Sequence, residues 1–312
     1  MILTVTLNAA LDITYRVPRL RASATHRVAE VSERAGGKGL NVARVLAALG
    51  HRSVVAGFAG GPTGAVLRQL LAEDHGPGTV VDALTPTAGA SRRTVGVVDA
   101  SSGETTQLNE AGPTIDRSEW DAFRATYARL LGDAEAVALC GSLPPGLPVG
   151  AYAQLVREAQ AAGVPVLLDT SGEPLRRGIA ARPDLVKPNM DELTGLTGST
   201  EPLRAAHDAR RRGARAVAAS LGPAGMLLVT ADGSWQAAPP RPVRGNPTGA
   251  GDSAVAGLLS GLVAGEPWPE RVARAVALSA ATVLSPVAGE FDRAAYEDLL
   301  PRVEVSDGAA AA

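Results

Sequence analysis

Short, continuously apolar runs alternate with longer amphipathic stretches along most of the chain. Runs such as Val137–Cys140 and Ala216–Leu221 carry apolar residues at successive positions, which is typical of strands covered on both faces. Segments such as Leu40–Leu49 instead repeat apolar residues at helical spacing. This alternation predicts an α/β fold with a mostly parallel central sheet and helices on both faces.

The same periodicity marks the remaining elements. We predict strands at Ile2–Leu7, Ser53–Gly57, Val137–Cys140, Val166–Asp169, Leu185–Lys187, Ala216–Leu221 and Met226–Thr230. We predict helices at Leu40–Leu49, Ser118–Leu131, Gly150–Ala162, Pro202–Arg212 and Pro269–Leu284.

Two segments depart from this pattern. Residues 12–31 alternate apolar and polar side chains without a helical face, and Arg92–Asp99 and Glu104–Leu108 are typical of a hairpin. We therefore expect residues 12–34 and 90–110 to form a small β lid over the α/β body. No repeat, linker or domain boundary interrupts the chain, so residues 1–312 are expected to form a single domain.

Composition and net charge exclude several classes of protein and several kinds of site. Apolar residues make up 46% of the chain, charged residues 20%, and the net charge is −2. This balance excludes a disordered chain and argues against binding nucleic acid or an anionic membrane through bulk charge. The single cysteine, Cys140, excludes an internal disulfide and a multi-cysteine metal site. No apolar stretch is long enough to cross a bilayer, and the expected location is the cytoplasm.

Of the 30 basic residues, only Lys38 and Lys187 are lysines. A lysine that persists in an arginine-rich chain indicates a need for a compact, flexible point charge, which a guanidinium does not replace. For either lysine considered alone, retention by chance is as good an explanation as a functional role. Both lie in motifs marked by glycine or proline, which favours a functional role.

A glycine-rich turn, Asn246–Ser253, precedes an apolar helical stretch. Small residues at a helix start leave backbone N–H groups uncovered, and these groups bind anions. Asp252 beside the amides of Gly249, Ala250 and Gly251 would suit proton removal next to a phosphoryl group. The alternative is an ordinary acidic residue in a first helical turn. The turn is neither a P-loop nor a dinucleotide fingerprint.

Two further motifs carry candidate ligands. Gly36 and Gly37 precede Lys38 and Asn41, which lie three positions apart on one helix face. This pattern favours recognition of sugar hydroxyls and an anion, and a flexible turn with a solvated lysine is the alternative.

The segment that follows Lys187 places Asn189 and Glu192 at the start of a helix. Their oxygens suit Mg²⁺ held through water, although a plain helix cap explains them as well. Arg92-Arg93 and the turn from Ser220 through Gly222 to Gly225 are weaker signals, because such sequences are common in turns and on surfaces.

Taken in this order, the motifs resemble those of the ribokinase-like (PfkB) sugar kinase family. Ala35–Ala43 is similar to the family's N-terminal signature, and Asn246–Gly257 is similar to its C-terminal one. Thr6-Leu7-Asn8, Gly141–Pro144 and Lys187-Pro188-Asn189 resemble the branch that acts on phosphorylated ketohexoses. The resemblance implies a ribokinase-like fold and ATP-dependent phosphorylation of a ketohexose monophosphate, either fructose 1-phosphate or tagatose 6-phosphate. A non-catalytic sugar-phosphate sensor is a further alternative.

The resemblance also implies a role for each candidate. Asp252 would be the base, and the amides of Gly249, Ala250 and Gly251 would hold the transferred phosphoryl group. Asp12, Gly36, Gly37 and Asn41 would bind the sugar, while Lys38 and either Arg92 or Arg93 would bind its phosphate. Lys187, Asn189 and Glu192 would bind the ATP phosphates and Mg²⁺, with Asn189 and Glu192 holding the metal through water. Ser220, Gly222 and Gly225 would bind the nucleotide. The lid could pair with that of a second subunit. Asn246 stands where some members carry an acidic cation ligand, so no potassium site is expected.

Overall fold

The computed structural model describes residues 1–73, 78–285, 287 and 289–308. Its strands are β1 Ile2–Thr6, β2 Ala10–Val17, β3 Glu30–Gly36, β4 Arg52–Gly60, β5 Thr79–Thr87, β6 Arg92–Asp99, β7 Thr105–Asn109, β8 Ala136–Cys140, β9 Val166–Asp169, β10 Leu185–Val186, β11 Ala216–Ser220, β12 Met226–Val229, β13 Ser234–Ala238 and β14 Glu304–Asp307. Its α-helices are α1 Lys38–Ala48, α2 Gly61–Ala72, α3 Arg117–Leu131, α4 Ala151–Ala161, α5 Gly172–Ala180, α6 Met190–Thr197, α7 Pro202–Arg211, α8 Ala250–Val263, α9 Trp268–Val283 and α10 Arg293–Leu299.

A ten-stranded sheet forms the body, in the order β14-β13-β12-β11-β10-β9-β8-β1-β4-β5. Neighbouring strands from β5 to β11 are parallel, whereas β12, β13 and β14 add antiparallel pairs at one edge. The predicted fold class, a mostly parallel α/β sheet with a small β lid, is confirmed. Because parallel strands share one carboxyl edge, the loops that follow them meet at that edge.

Helices cover both faces of this sheet. Leu3 and Val5 of β1 pack into a core with α3 and α4, while Ile2 points to the opposite face and packs with α8 and α9. Because side chains alternate along a strand, successive residues of β1 contact the cores on opposite faces of the sheet. Burying each large aliphatic side chain stabilises the fold by about 1.5–3 kcal/mol. Within the described residues, no helix has both the length and the apolarity needed to span a bilayer.

The lid is a four-stranded sheet in the order β3-β2-β6-β7. β2 pairs parallel with β6, and the β6–β7 hairpin is antiparallel, as predicted for residues 92–108. The lid strands extend further than expected, since β2 begins at Ala10 and β3 ends at Gly36. Both connections that flank the β2–β3 pair therefore lie at the carboxyl edge of the large sheet.

Several strands and helices of the structure were not predicted from the sequence. β5 is a half-exposed edge strand, α2 opens on a Gly-Pro pair, and α5 is only nine residues long. Edge strands and short helices bury too few side chains to leave a clear periodicity. These elements lie outside the predicted motifs and do not alter the position of the site.

Candidate active site

A cleft of about 720 Å³ opens between the lid and the carboxyl edge of the large sheet. The predicted site residues that line it are Asp12, Gly37, Lys38, Asn41, Arg92, Lys187, Asn189, Glu192, Ser220, Gly249, Gly251 and Asp252. Gly222, Gly225 and Ala250 line an adjoining cavity. The fold thus brings together motifs that are more than 200 positions apart in the chain.

Asp252 lies in the first turn of α8 and is buried. Its carboxylate does not cap its own helix; instead, Oδ2 accepts a hydrogen bond from Asn41 Nδ2 at 2.8 Å. Burial raises the pKa of Asp252 to about 6, and the nearby charge of Asp169 acts in the same direction. The Asn41 bond and the charges of Lys38 and Lys187 oppose this rise. The result is a carboxylate poised to exchange a proton near neutral pH.

The start of α8 supplies uncovered amides. Gly249 precedes the helix with a φ of +83°, a left-handed conformation that favours glycine. The Ala250 amide already donates to the Pro247 carbonyl at 3.2 Å, which differs from the expectation of three uncovered amides. Within the described residues, the amides of Gly249 and Gly251 donate to no protein acceptor. Two donors therefore face the cleft beside Asp252.

The two lysines converge on one carboxylate that the sequence reasoning missed. Lys38 Nζ lies 3.3 Å and Lys187 Nζ 3.4 Å from oxygens of Asp169, which is 1% exposed. Burial lowers the pKa of Lys38, but the negative charges of Asp169, Asp252 and Glu192 outweigh it and hold that pKa above its usual value. The Lys38 ammonium is therefore charged, and both lysine side chains lie against Asp169 at the floor of the cleft.

Asp12 projects from β2 of the lid into the cleft, and Gly36 on the neighbouring strand β3 makes room for it. A Cβ atom at Gly36 would lie 2.1 Å from the Asp12 carboxyl group. Gly36 is absent from the lining of the cleft, and its role in binding the sugar stays a prediction. Burial raises the pKa of Asp12, and the positive charge of Arg92 opposes this.

Of the two adjacent arginines, only Arg92 lines the cleft. Its guanidinium donates from Nε to the Asn8 carbonyl at 3.0 Å and from Nη1 to Thr94 Oγ1 at 3.3 Å. Arg93 is exposed and pairs with Glu110 at 2.6 Å on the outer side of the lid. The geometry therefore selects Arg92 as the candidate anion ligand.

Asn189 and Glu192 form a reciprocal cap at the start of α6. Asn189 Oδ1 accepts from the Glu192 amide at 2.8 Å, and Glu192 Oε2 accepts from the Asn189 amide at 2.9 Å. Among the described residues, no group of three acidic, histidine or cysteine side chains could hold a metal ion. This donor set fits Mg²⁺ that is carried on nucleotide phosphates and meets the protein through water, rather than a dedicated metal cage.

A second cavity of about 500 Å³ shares Ser220 and Gly251 with the cleft. Its wall contains Gly222, Gly225 and Ala250, together with apolar side chains of α8 and α9. A mostly apolar cavity beside an anion-binding helix start suits the base and ribose of a nucleotide.

Comparison with known proteins agrees with this geometry. Residues 5–293 match the family described as pfkB family carbohydrate kinase. The chain is 40% identical over 293 residues to a 1-phosphofructokinase of Rhodobacter capsulatus, covering 91% of this chain and 92% of that protein. It is 40% identical over 272 residues to a 1-phosphofructokinase of Xanthomonas campestris pv. campestris, covering 84% of each.

Among solved structures, the chain is similar to phosphofructokinase-2 from Escherichia coli in complex with fructose-6-phosphate. The TM-score is 0.84 at 29% identity, covering 96% of this chain and 98% of that one.

Proposed function

Because the chain belongs to the pfkB family of carbohydrate kinases, we propose that this ATP-dependent kinase phosphorylates fructose 1-phosphate to fructose 1,6-bisphosphate. The observation that carries the choice of substrate is the 40% identity to two 1-phosphofructokinases over most of the chain. The cleft supports it with cations on the acceptor side, at Lys38 and Arg92.

Asp252 acts as the general base in this proposal. It takes the proton of the acceptor hydroxyl, whose oxygen then bonds to the γ-phosphorus while the bond to the ADP oxygen breaks. A base with a pKa of about 6 is ionised at neutral pH yet basic enough to accept the proton. Asn41 holds the carboxylate in place through its 2.8 Å bond.

Phosphoryl transfer depends mainly on positioning and charge neutralisation. The amides of Gly249 and Gly251 would bind the transferred group, and Lys187 would hold the ATP phosphates. A Cβ atom at Gly251 would lie 3.5 Å from Lys187 Nζ, so both groups reach the same volume. Loss of one such donor typically costs about 3–4 kcal/mol of transition-state stabilisation. Bound Mg²⁺ would neutralise phosphate charge, with Asn189 and Glu192 holding its water ligands.

The sugar would lie between the lid and α1. Asp12, Gly37 and Asn41 would bind its hydroxyls, and Lys38 and Arg92 its phosphate. The base and ribose of ATP would occupy the second cavity beside Ser220, Gly222 and Gly225, with their backbone close to the ligand. Both substrates would then meet at Asp252, which follows Gly251, a residue that lines both cavities.

Two other acceptors are candidates. Fructose 6-phosphate is favoured by the similarity to an E. coli phosphofructokinase-2 solved with that sugar. Tagatose 6-phosphate also presents a free hydroxyl and a phosphate at opposite ends, and the same cations would bind it.

The test is ADP formation by purified protein with Mg²⁺-ATP and each of fructose 1-phosphate, tagatose 6-phosphate, fructose 6-phosphate and fructose. We expect the highest kcat/KM with fructose 1-phosphate. A higher value with either 6-phosphate would reassign the acceptor, and no turnover with any phosphorylated sugar would refute the proposal.

Asp252→Asn provides the matched control for this assay. It should lose at least ~10²-fold in kcat, the usual size of general-base catalysis, while ATP still binds. Full activity of this variant would remove Asp252 from the mechanism.

We further propose that the protein is a cytoplasmic homodimer joined through the lid. Val31 of β3 is 53% exposed and Leu108 of β7 is 60% exposed, so each edge strand of the lid presents a large apolar side chain to solvent. Pairing of two lids would cover both residues.

A further inference from the structure

We propose that Arg44 is a positioning residue that fixes the amide of Asn41 against the catalytic carboxylate and couples that carboxylate to the lid. The inference rests on the proposed role of Asp252 as the base. Arg44 belongs to none of the motifs from which the candidate ligands were taken, and it lies beneath the cleft rather than in it.

Arg44, Asn41 and Asp252 are joined by two successive hydrogen bonds, which together form the relay. Arg44 follows Asn41 by one turn of α1 and is 7% exposed. Its Nη1 donates to Asn41 Oδ1 at 3.2 Å, and Asn41 Nδ2 donates to Asp252 Oδ2 at 2.8 Å. An arginine only donates hydrogen bonds, so it holds the amide oxygen on its own side. The amide nitrogen is then left pointing at the base.

Arg44 also bonds to the lid. Its Nη2 donates to the Ala35 carbonyl near the end of β3, and β3 runs directly into α1 at Gly37. The planar guanidinium thus spans acceptors on two elements, which a single ammonium group cannot reproduce. Movement of the lid strand would shift Arg44 and, through Asn41, the orientation of Asp252.

Close packing restricts the alternatives open to the amide. A Cβ atom at Gly289 would lie 2.9 Å from Asn41 Oδ1 and 3.4 Å from Arg44 Cδ. The chain at Gly289 therefore lies close to this pair, and any side chain at position 289 would press on the Asn41 amide.

Other charged groups face the relay and affect the pKa of Asp252. Asp12 of β2 lies near Arg44, and Asp252 is also surrounded by charges from three further elements. These are Asp169 at the end of β9, Lys38 at the start of α1 and Lys187 after β10. A change confined to Arg44 leaves all of them in place.

The test compares Arg44→Met and Arg44→Lys with the wild type in rate–pH profiles. Loss of the relay leaves the carboxylate with a weaker hydrogen bond, so the acid limb of kcat/KM should move upward by about one pH unit. We expect kcat at neutral pH to fall about tenfold, within the range of coupling between contacting residues, and KM for ATP to stay unchanged. Arg44→Lys keeps the charge and guards against a simple failure of Arg44→Met to fold.

Arg124→Met is the control, because Arg124 is partly buried and pairs with Glu158 at 2.6 Å, but bridges α3 and α4 away from the cleft. Its pH profile should match that of the wild type. An unchanged profile in both Arg44 variants would overturn the inference.

A double-mutant cycle tests the route through Asn41. Arg44→Met should reduce kcat strongly in the wild type and by less than twofold in an Asn41→Ala background. Equal losses in both backgrounds would show that Arg44 acts independently, and the inference would fail while the proposed function stands. Full activity of Asp252→Asn would instead overturn the proposed role of Asp252 as the base, and only a lack of turnover with every phosphorylated sugar would overturn the proposed function.

Discussion

The buried carboxyl group of Asp252 determines how activity should depend on pH. Burial raises its pKa to about 6, and only the ionised form accepts the substrate proton. We therefore expect kcat/KM to fall tenfold per pH unit below about pH 6 and to level off above it. Steady-state rates between pH 5 and 8 measure this limb, and a plateau extending down to pH 4.5 would contradict it.

The same burial should lower the stability of the folded protein when Asp252 is ionised. Because its pKa is higher in the folded state than in the unfolded chain, stability falls as pH rises from about 4 to 6. Asp252→Asn removes this penalty, which is about 3 kcal/mol at pH 7 for a rise from 3.8 to about 6. We expect a higher Tm than the wild type at pH 7.5 and little difference at pH 4.

Substitution of Asp169 tests whether its charge contributes to the raised pKa of Asp252. Its charge raises the pKa of Asp252 and pairs with both lysines, so Asp169→Asn should move the acid limb to lower pH. The freed lysines should also alter KM for the phosphorylated substrates. Asp184→Asn is the control, because the Asp184 carboxylate accepts a hydrogen bond from the Val166 amide at 2.9 Å and lies outside the cleft lining. Identical pH profiles for both variants would remove Asp169 from the site.

The convergence of Asp252, Lys38 and Lys187 could be predicted because each stands in a motif with unusual residue types. Asp169 could not, since it ends an ordinary apolar strand, and only the fold shows that both lysines face it. Arg44 is one arginine among 28 and lies on an amphipathic helix like many others.

At the scale of elements, the β2–β3 pair depends on the missing side chain at Gly36. Gly36→Ala would place a methyl group against the Asp12 carboxyl and push that carboxyl away from the sugar. We expect KM for the sugar phosphate to rise about tenfold or more, with KM for ATP unchanged, since misplaced binding groups lose this much. Gly195→Ala in α6, where no atom lies within 4 Å of the new methyl group, is the control.

Elements with strong periodicity were predicted to within a few residues, as β9 and α3 illustrate. β5 and β14 were not, because an edge strand faces solvent and its side chains follow no strict alternation. The lid was predicted as an excursion from the helical pattern, but its pairing order, with β2 beside β6, depends on contacts distant in sequence.

For the whole molecule, the exposed apolar side chains of the lid predict self-association. Leu108→Asp should shift a dimer to monomer in size-exclusion chromatography with light scattering, because a charge would be buried in the lid contact. Leu284→Asp, on a residue 45% exposed at the end of α9, is the control and should leave the mass unchanged. A wild-type monomer at micromolar concentration would contradict the lid dimer.

The lid consists of two insertions into the body: β2 and β3 lie between β1 and α1, and β6 and β7 lie between β5 and α3. A lid transplanted from a relative by exchanging residues 10–36 and 92–109 would carry Asp12, Gly36 and Arg92 with it, while α8 and its amides would stay with the host. Such chimeras should inherit acceptor preference from the donor and phosphate-donor chemistry from the recipient, which makes this boundary a natural place to engineer new sugar kinases.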